Sequence, residues 1–303
     1  MGTPLFSVPI LKSLYQNGYP ISVVYTQPPK KSNRGYKINK SPIQSISETL
    51  NIDFRSPKTL QNNDEEYKFL KNLNADLAVV VAYGQIIPKE FLSLTKKGFI
   101  NIHGSILPKW RGAAPIQRSI MNLDDEIGIS IMKIEEELDS GPVSNVYKIK
   151  LESNCNAQEI SEKLSILAAE KILENIDDIL EDNAKFVAQD NSKATYAKKI
   201  DKNEGQINWN EEAKIIIGKI NGLFPVPGAF FTFKGERYKI LKAEIGNGVG
   251  KFGEVISNKL EIACSNNKSI KILEIQKQGK KPQKVGEFML GSRIKKGSIL
   301  SNV

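Results

Sequence analysis

Helical and extended patterns of apolar residues alternate through the first half of the chain. A first helix is predicted directly after the start, and its spacing ends at Asn17-Gly18. The apolar face of this helix consists of Phe6, Ile10, Leu11 and Leu14. Further helices are predicted over 42–50 and 64–73, and short strands over 21–25 and 52–54. Such alternation is typical of an α/β domain.

Two further segments predict strands near the centre of one sheet. Residues 77–82 are apolar on both faces, as expected for a parallel strand that is covered by helices on both sides. Residues 98–103 alternate, so that Asn101 and His103 share one face while two isoleucines lie on the other. We therefore predict a doubly wound, mostly parallel sheet with a Rossmann-like α/β fold.

The pattern changes in the second half of the chain. A long helix is predicted over 156–181, and the polar, lysine-rich segment 190–205 indicates a linker. After a helix predicted over 211–221, short strand-like runs recur between turn residues, at 229–233, 237–243, 253–257, 260–264 and 270–276. These runs predict a small antiparallel β-barrel of the OB type. The predicted division is a first domain at 1–189, the linker at 190–205 and a second domain at 206–303.

Composition places the chain among ordinary globular proteins. It has 303 residues, of which 40% are hydrophobic and 25% charged. The longest apolar run, 77–83, is far too short to span a membrane, and the first residues lack the pattern of a signal peptide. Cys155 and Cys264 have no metal-type spacing, so we expect two free thiols in a reducing compartment. We expect a cytoplasmic monomer without a membrane partner.

The positive charge is concentrated at one end of the chain. Residues 201–303 hold 18 Lys and Arg against 10 Asp and Glu, whereas the whole chain holds 43 against 34. Nearly all of the net charge of +9 therefore belongs to the second domain. Such a basic domain either keeps the protein soluble or binds a polyanion, and among polyanions we favour nucleic acid.

Candidate chemistry lies at the end of the predicted strand 98–103. His103 is the only histidine, and therefore the only side chain whose unperturbed pKa allows a change of charge between pH 5 and 8. Asn101 lies beside it on the same face, and a turn through Gly104 and Pro108 follows. The carboxyl ends of strands are where open α/β sheets bind ligands. From chemistry alone, a packed structural histidine and a catalytic one are about equally supported.

The run from Asn101 to Arg118, NIHGSILPKWRGAAPIQR, resembles the signature of the folate-dependent formyltransferases. Within that family it is most similar to the members that act on methionyl-tRNA. The segment Leu138-Asp139-Ser140-Gly141 matches a second motif of the family at the expected distance. The resemblance implies that Asn101, His103 and Asp139 are catalytic. It also implies formyl transfer from 10-formyltetrahydrofolate, without a metal, to methionyl-initiator tRNA.

The resemblance also implies binding residues for both substrates. For the folate these are two segments, Ser105, Ile106, Leu107 and Pro108 in the signature, and Tyr83, Gly84 and Ile86 in the turn after strand 77–82. For tRNA, Arg34 matches an arginine in a loop that the family presses onto the acceptor end. A lysine cluster in the second domain adds tRNA contacts suggested by its charge, namely Lys277, Lys280, Lys281 and Lys284.

Other activities stay open at this point. Gly141-Pro142-Val143 looks more like glycinamide ribonucleotide formyltransferase, whereas the run 111–118 and the basic second domain speak against that enzyme. Sugar-amine formyltransferases share the first domain, and a non-catalytic RNA-binding relative is a further alternative. The acidic triplet 135–137 stands close to Asp139, and we expect its side chains to face water.

The start of the chain departs from the family pattern. Members of the family begin several residues earlier, with an apolar strand that leads into the Gly-Thr-Pro turn, here Gly2-Thr3-Pro4. In a sheet of this type that strand is central. The sequence therefore predicts either a start upstream of Met1 or a sheet that lacks one core strand.

Overall fold

The protein is described by a computed structural model, which covers residues 1–32 and 37–300. It divides into two compact units. The N-terminal unit contains 1–112, 128–149 and 161–196, and the C-terminal unit contains 113–127, 150–160 and the chain from 197 onward. The C-terminal unit thus takes in two segments, 113–127 and 150–160, that interrupt the N-terminal unit along the sequence. The limits 1–189, 190–205 and 206–303 stay a prediction.

The described helices in chain order are α1 (Val8–Gln16), α2 (Pro42–Thr49), α3 (Asp64–Leu73), α4 (Pro115–Met121), α5 (Ala157–Leu180), α6 (Ala213–Leu223) and α7 (Val285–Gly291). The described strands are β1 (Val24–Tyr25), β2 (Lys30–Ser32), β3 (Lys37–Asn39), β4 (Phe54–Arg55), β5 (Ala78–Val80), β6 (Phe99–His103), β7 (Arg111–Gly112), β8 (Glu126–Lys133), β9 (Val143–Lys150), β10 (Tyr196–Ala197), β11 (Ala229–Phe233), β12 (Glu236–Gly246), β13 (Glu261–Cys264), β14 (Lys268–Lys277) and β15 (Gln283–Lys284). None of the helices in the described ranges is long and apolar enough to cross a membrane.

Local sequence signals explain where several helices begin. Helix α2 starts with a proline, and the side chain of Ser41 in front of it accepts a hydrogen bond from the Gln44 amide. Helix α3 has the same kind of cap at Asn63, three acidic residues in its first turn, and Asn74 in the left-handed conformation at its end. These caps fix the helix boundaries close to those predicted from the sequence.

In the N-terminal unit the main sheet has the order β5-β6-β8-β9, and β1 pairs with β4. The pairs β1–β4 and β5–β6 are parallel, whereas β6–β8 is antiparallel. Ile100 and Ile102 of β6 are buried, as their alternation predicts. In the C-terminal unit, β11, β12, β14 and β13 form an antiparallel sheet that β15 extends. The predicted combination of an α/β fold and an antiparallel second domain is confirmed.

Only two residues lie between β1 and β5 in the described structure. The amide of Gly2 donates to the Tyr25 carbonyl oxygen at 2.9 Å, and the Val81 amide donates to the Met1 carbonyl oxygen at 2.8 Å. A cavity of about 300 Å³ continues from this point, lined mainly by apolar side chains from α1, β1, α3 and α5. The amino group of Met1 is buried and donates to the Val79 carbonyl oxygen at 2.7 Å. Met1 and Gly2 therefore connect the two strands β1 and β5 next to this cavity.

One predicted strand of the second domain is wrong. Residues 253–257 contribute only isolated bridges, Glu254 with Ile299 and Val255 with Ile262, and Gly253 has a φ of +79° that breaks extended structure. The core of this unit instead closes around a fully buried Trp209, which packs beside Phe231. Strand β15 and helix α7 lacked a clear sequence signal and were not predicted.

Candidate active site at the carboxyl end of strand β6

The structure brings Asn101, His103 and Asp139 together in the N-terminal unit. Asn101 Nδ2 lies 3.4 Å from Asp139 Oδ1, and His103 Nδ1 lies 3.6 Å from Asp139 Oδ2. Asn101 and His103 stand two residues apart on one face of β6, and Asp139 reaches them from the turn that follows β8. The three side chains identified in the sequence thus form one polar cluster at the end of the strand.

Asp139 is fixed by its backbone as well as by its carboxylate. Its φ of +48° lies in the left-handed region, which is uncommon for residues other than glycine. The amide of Gly112 donates to Oδ2 at 2.8 Å, so that a peptide of β7 holds the carboxylate. A charge-assisted hydrogen bond of this kind fixes the direction in which the carboxylate points.

The second ring nitrogen of His103 contacts a backbone oxygen. Nε2 lies 2.9 Å from the carbonyl oxygen of Trp110. A carbonyl oxygen only accepts hydrogen bonds, so Nε2 carries a proton in this arrangement and Nδ1 is the nitrogen that faces Asp139. Trp110 has a φ of +64°, and its amide donates to Thr195 Oγ1 at 2.9 Å. The histidine is buried, and the backbone of residue 110 sets its ring orientation.

The segment 105–108 forms a rigid turn next to this cluster. The hydroxyl of Ser105 donates to the Lys109 carbonyl oxygen at 2.6 Å and is fully buried. Ser130 ties the turn to β8, since its hydroxyl donates to the Ser105 carbonyl oxygen at 2.7 Å and accepts from the Leu107 amide at 3.1 Å. Leu107 is also buried, whereas Ile106 and Pro108 are half-exposed. The apolar surface that this turn offers therefore comes from Ile106 and Pro108.

The second predicted folate segment follows β5, the parallel neighbour of β6. Tyr83 is buried, and burial together with the Glu66 charge raises the pKa of its hydroxyl. Gln27 Nε2 donates to the carbonyl oxygens of Tyr83 and Gly84, at 3.3 and 2.6 Å. Gly84 has a φ of +76°, a conformation that suits glycine. Ile86 is 71% exposed and is the side chain of this turn that is open to a ligand.

The acidic triplet is exposed, as the sequence analysis expected. Glu135, Glu136 and Glu137 all face outward, and Glu136 forms an ion pair with Lys89 at 2.8 Å. In the described ranges, no group of three or more His, Cys, Asp or Glu side chains is placed to hold a metal ion. Cys155 and Cys264 are both reduced thiols, and burial raises the pKa of Cys264 to about 11.

The predicted tRNA residues fall into three groups. Arg34 lies outside the described residues. Lys277, at the end of β14, forms an ion pair with Glu236 at 2.7 Å. The other three lysines are exposed and make no ion pair within the described part of the chain, namely Lys280, Lys281 and Lys284. One of the four lysine charges is thus already balanced by the protein.

Two family models match the chain. The Formyl transferase model covers residues 1–176, and the Formyl transferase C-terminal domain model covers residues 199–293. The first of them alone matches more than half of the sequence and contains the whole polar cluster. The chain belongs to the formyltransferase family.

Relatives within this family are similar over their full length. The chain is 68% identical to the methionyl-tRNA formyltransferase of Pelagibacter ubique (strain HTCC1062) over 303 residues, which cover 100% of this chain and 98% of the relative. It is 39% identical to the methionyl-tRNA formyltransferase of Chelativorans sp. (strain BNC1), with 99% and 98% of the two chains covered.

Solved formyltransferase structures share the fold at lower identity. WlaRD, a sugar 3N-formyl transferase solved in the presence of dTDP and 5-N-formyl-THF, matches with a TM-score of 0.68 and 19% identity, covering 92% of this chain and 97% of its own. HypX from Aquifex aeolicus, in complex with tetrahydrofolic acid, matches with a TM-score of 0.61 and 16% identity, covering 92% and 50%. At these identities the likeness concerns the fold.

Sequence reasoning missed several groups around the cluster of this formyltransferase. Arg111 is buried, and its guanidinium donates to Gln189 and Asn191. Gln189 in turn donates to the backbone on both sides of the Asp139 turn. Arg111 lies within the signature, but its role there could not be read from the motif. Gln189 carried no signal, because it lies in a polar stretch beside the predicted linker.

Proposed function

We propose that this formyltransferase transfers the formyl group of 10-formyltetrahydrofolate to the amino group of methionyl-initiator tRNA. The observation that carries the proposal is the cluster of Asn101, His103 and Asp139, in a chain that is 68% identical over its whole length to a methionyl-tRNA formyltransferase. An amide donor, an imidazole and a carboxylate at one strand end are the groups that acyl transfer to an amine requires.

The residues present fit the folate. Ile86, Ile106 and Pro108 offer apolar surface at the carboxyl ends of two neighbouring parallel strands, β5 and β6. Such surface suits a flat pterin ring. We assign the folate to this edge, with backbone contacts from Tyr83, Gly84, Ser105 and Leu107. The formyl group would then lie beside Asn101 and His103.

Each member of the cluster has a distinct task in the proposed reaction. As the amine attacks the formyl carbon, Asn101 donates an N–H to the oxygen that becomes negative. His103 moves the proton that the attacking amine loses to the N10 nitrogen of the departing tetrahydrofolate, so that protons balance, and it can also donate to the same oxygen. Asp139 holds the imidazole and supplies a counter-charge when the ring carries its second proton. No residue of the chain forms a covalent bond to the formyl group in this scheme.

The tRNA half of the proposal is supported by charge. The exposed lysines after β14 lie in the C-terminal unit, where the net charge of the chain is concentrated. We assign them to tRNA phosphates and assign Arg34 to the acceptor end. Free thiols fit a reducing cytoplasm, in which we place the enzyme as a monomer. Light scattering of the protein with and without tRNA tests the monomer.

The deciding experiment compares acceptors. Purified protein and 10-formyltetrahydrofolate with a labelled formyl group are incubated with methionyl-initiator tRNA, glycinamide ribonucleotide or an amino-sugar nucleotide. We expect transfer to the methionyl-tRNA, with a kcat/KM far above that for the other two acceptors. Faster transfer to either small acceptor would replace the proposal by the corresponding alternative. Tight tRNA binding without transfer would indicate the non-catalytic relative.

A further inference from the structure

Gln189 connects a buried charge to the turn that carries Asp139. Its Nε2 donates to the Asp139 carbonyl oxygen at 2.8 Å and to the Gly141 carbonyl oxygen at 2.7 Å. Its Oε1 accepts from Arg111 Nε and Nη2, at 3.1 and 2.9 Å. Both ends of the amide are therefore used, and the orientation of the side chain is fixed.

Arg111 is an unusual anchor for such an amide. It is only 3% exposed, and the oxygens that accept from its guanidinium in the described structure belong to the neutral side chains of Gln189 and Asn191. A buried cation is normally stabilised by a carboxylate. The Arg111 charge polarises the Gln189 amide, which strengthens the hydrogen bonds that its N–H groups donate.

The turn that carries Asp139 must be stabilised by contacts from other parts of the chain. Asp139 has a left-handed φ of +48°, which costs free energy unless the surroundings enforce it. Gly141 is pressed against β8, because a Cβ there would come within 2.1 Å of the Lys133 carbonyl oxygen. The Gln189 side chain donates hydrogen bonds to the carbonyl groups on both sides of Ser140. The Gly112 amide donates to the carboxylate of Asp139. The backbone and the carboxylate of Asp139 are thus both positioned from the Arg111–Gly112 segment.

We propose that Gln189 is a positioning residue, which holds Asp139 in place and through it the imidazole of His103. The kinetic part of this inference rests on the proposed formyl transfer. Gln189 does not touch the reacting atoms in the described contacts, so its effect should appear in turnover rather than in substrate binding. A displacement of about 1 Å at a reacting group costs roughly 10²-fold in rate, which sets the size of the expected effect.

The test uses Gln189→Glu, which keeps an oxygen for Arg111 but cannot donate to the two carbonyl groups. We expect kcat to fall by about 10- to 100-fold, with KM for both substrates changed less than about threefold. In a double-mutant cycle, Gln189→Glu should cost almost nothing further in an Asp139→Asn background. An equal cost in both backgrounds would overturn the proposal.

Asn175→Asp is the matched control. Asn175 is a buried amide that donates to the Lys171 carbonyl oxygen at 2.7 Å and to the Tyr147 hydroxyl at 2.7 Å. The change removes the hydrogen bond to the Lys171 carbonyl oxygen and places a carboxylate in the same unit, where the Tyr147 hydroxyl can donate to it. Stability should fall, while kcat stays at the wild-type value. If Gln189→Glu does not fold, Gln189→Met removes the same donors without adding a charge, and the same kcat and KM criteria apply.

A second test of the positioning role uses NMR spectroscopy and does not require transfer activity. Because His103 is the only histidine, labelling with ¹⁵N-histidine gives one pair of imidazole signals without mutagenesis. At fixed pH, both Gln189→Glu and Asp139→Asn should shift these signals in the same direction, whereas Asn175→Asp should leave them unchanged. Unshifted signals in Gln189→Glu would refute the positioning role. A shift in a protein without transfer activity would refute only the proposed function.

Discussion

His103 Nδ1 faces Asp139 Oδ2 across 3.6 Å, and the same oxygen accepts the Gly112 amide at 2.8 Å. The Gly112 amide therefore holds the carboxylate, and the imidazole stands opposite it at a distance that gives an ion pair when the ring is protonated. On the other side of the ring, Nε2 meets the Trp110 carbonyl oxygen at 2.9 Å. The Nε2 proton can therefore pass to a substrate only after the contact with the Trp110 carbonyl oxygen opens.

Replacing His103 by Ala should lower turnover by about 10²–10⁴, the usual contribution of a positioned acid–base residue. Folate affinity should stay close to the wild-type value, because the ring is buried between protein groups and offers little surface to the pterin. Single-turnover formyl transfer and equilibrium binding of tetrahydrofolate measure the two effects separately. A variant with near-normal turnover would return His103 to the structural residues.

Replacing Asn101 by Ala should lower the rate of the chemical step by about 10²–10³, as expected for one lost oxyanion donor. The control is Asn17→Ala, which removes an exposed amide that donates to the Ser13 carbonyl oxygen at the end of α1. Pre-steady-state kinetics with labelled 10-formyltetrahydrofolate give the chemical step directly. An equally slow control, or an unaffected Asn101→Ala, would contradict the assignment of an oxyanion donor.

The parts of the site that the sequence predicted are those within a local pattern. Alternation along 98–103 gives the shared face of Asn101 and His103, and a motif at fixed distance gives Asp139. Gln189 reaches the Asp139 turn only because the chain returns to β7 after α5, and no periodicity encodes that return. Contacts between residues that are far apart in the sequence, such as Gln189 and Asp139, could therefore not be predicted.

The lysine cluster shows the same limit for electrostatics. A count of charges in the sequence gives all four lysines of the cluster the same weight. In the structure, the antiparallel pairing of β12 and β14 brings Lys277 beside Glu236. The pairing register decides which charges are balanced, and that register depends on bulges between residues 240 and 243. The wrongly predicted strand at 253–257 has a local cause, a left-handed glycine within a β-type composition.

The buried amino group of Met1 should make stability depend on pH. Burial lowers its pKa from 8.0 to about 5. Between these values the unfolded chain binds a proton that the folded chain does not, so the free energy of unfolding falls as pH falls from 8 to 5. The loss should approach about 4 kcal/mol, from about 1.4 kcal/mol for each pKa unit. Urea unfolding of the chain from Met1 to Val303 at several pH values measures it.

Two variants extended at the N-terminus distinguish the effect of the Met1 amino group from the effect of the cavity on stability. A short apolar segment placed before Met1 should abolish this pH dependence and also raise the melting temperature, because it can pair beside β1 and fill the 300 Å³ cavity. A Gly/Ser segment of equal length should abolish only the pH dependence. Equal melting temperatures for the two extended forms would show that the cavity costs no measurable stability.

The charge of the C-terminal unit gives a prediction for tRNA binding. Removing Lys280, Lys281 and Lys284 together should weaken tRNA binding and reduce the slope of log affinity against log salt by up to about 2–3, since each phosphate contact contributes roughly 0.7–0.9. Folate affinity should not change. Filter binding over a range of salt concentrations gives both quantities.

The lysines of the cluster also supply an internal comparison. Lys277→Ala removes a charge that Glu236 already balances at 2.7 Å, so its effect on the salt slope should be smaller than that of a single unpaired lysine. Exposed lysines of the N-terminal unit match the loss of net charge in a triple alanine variant, namely Lys58, Lys68 and Lys71. If that variant weakens tRNA binding as much as the loss of the cluster does, the effect is one of net charge. Specific phosphate contacts after β14 would then be ruled out, because a localised site must respond to the position of the charges and not to their number.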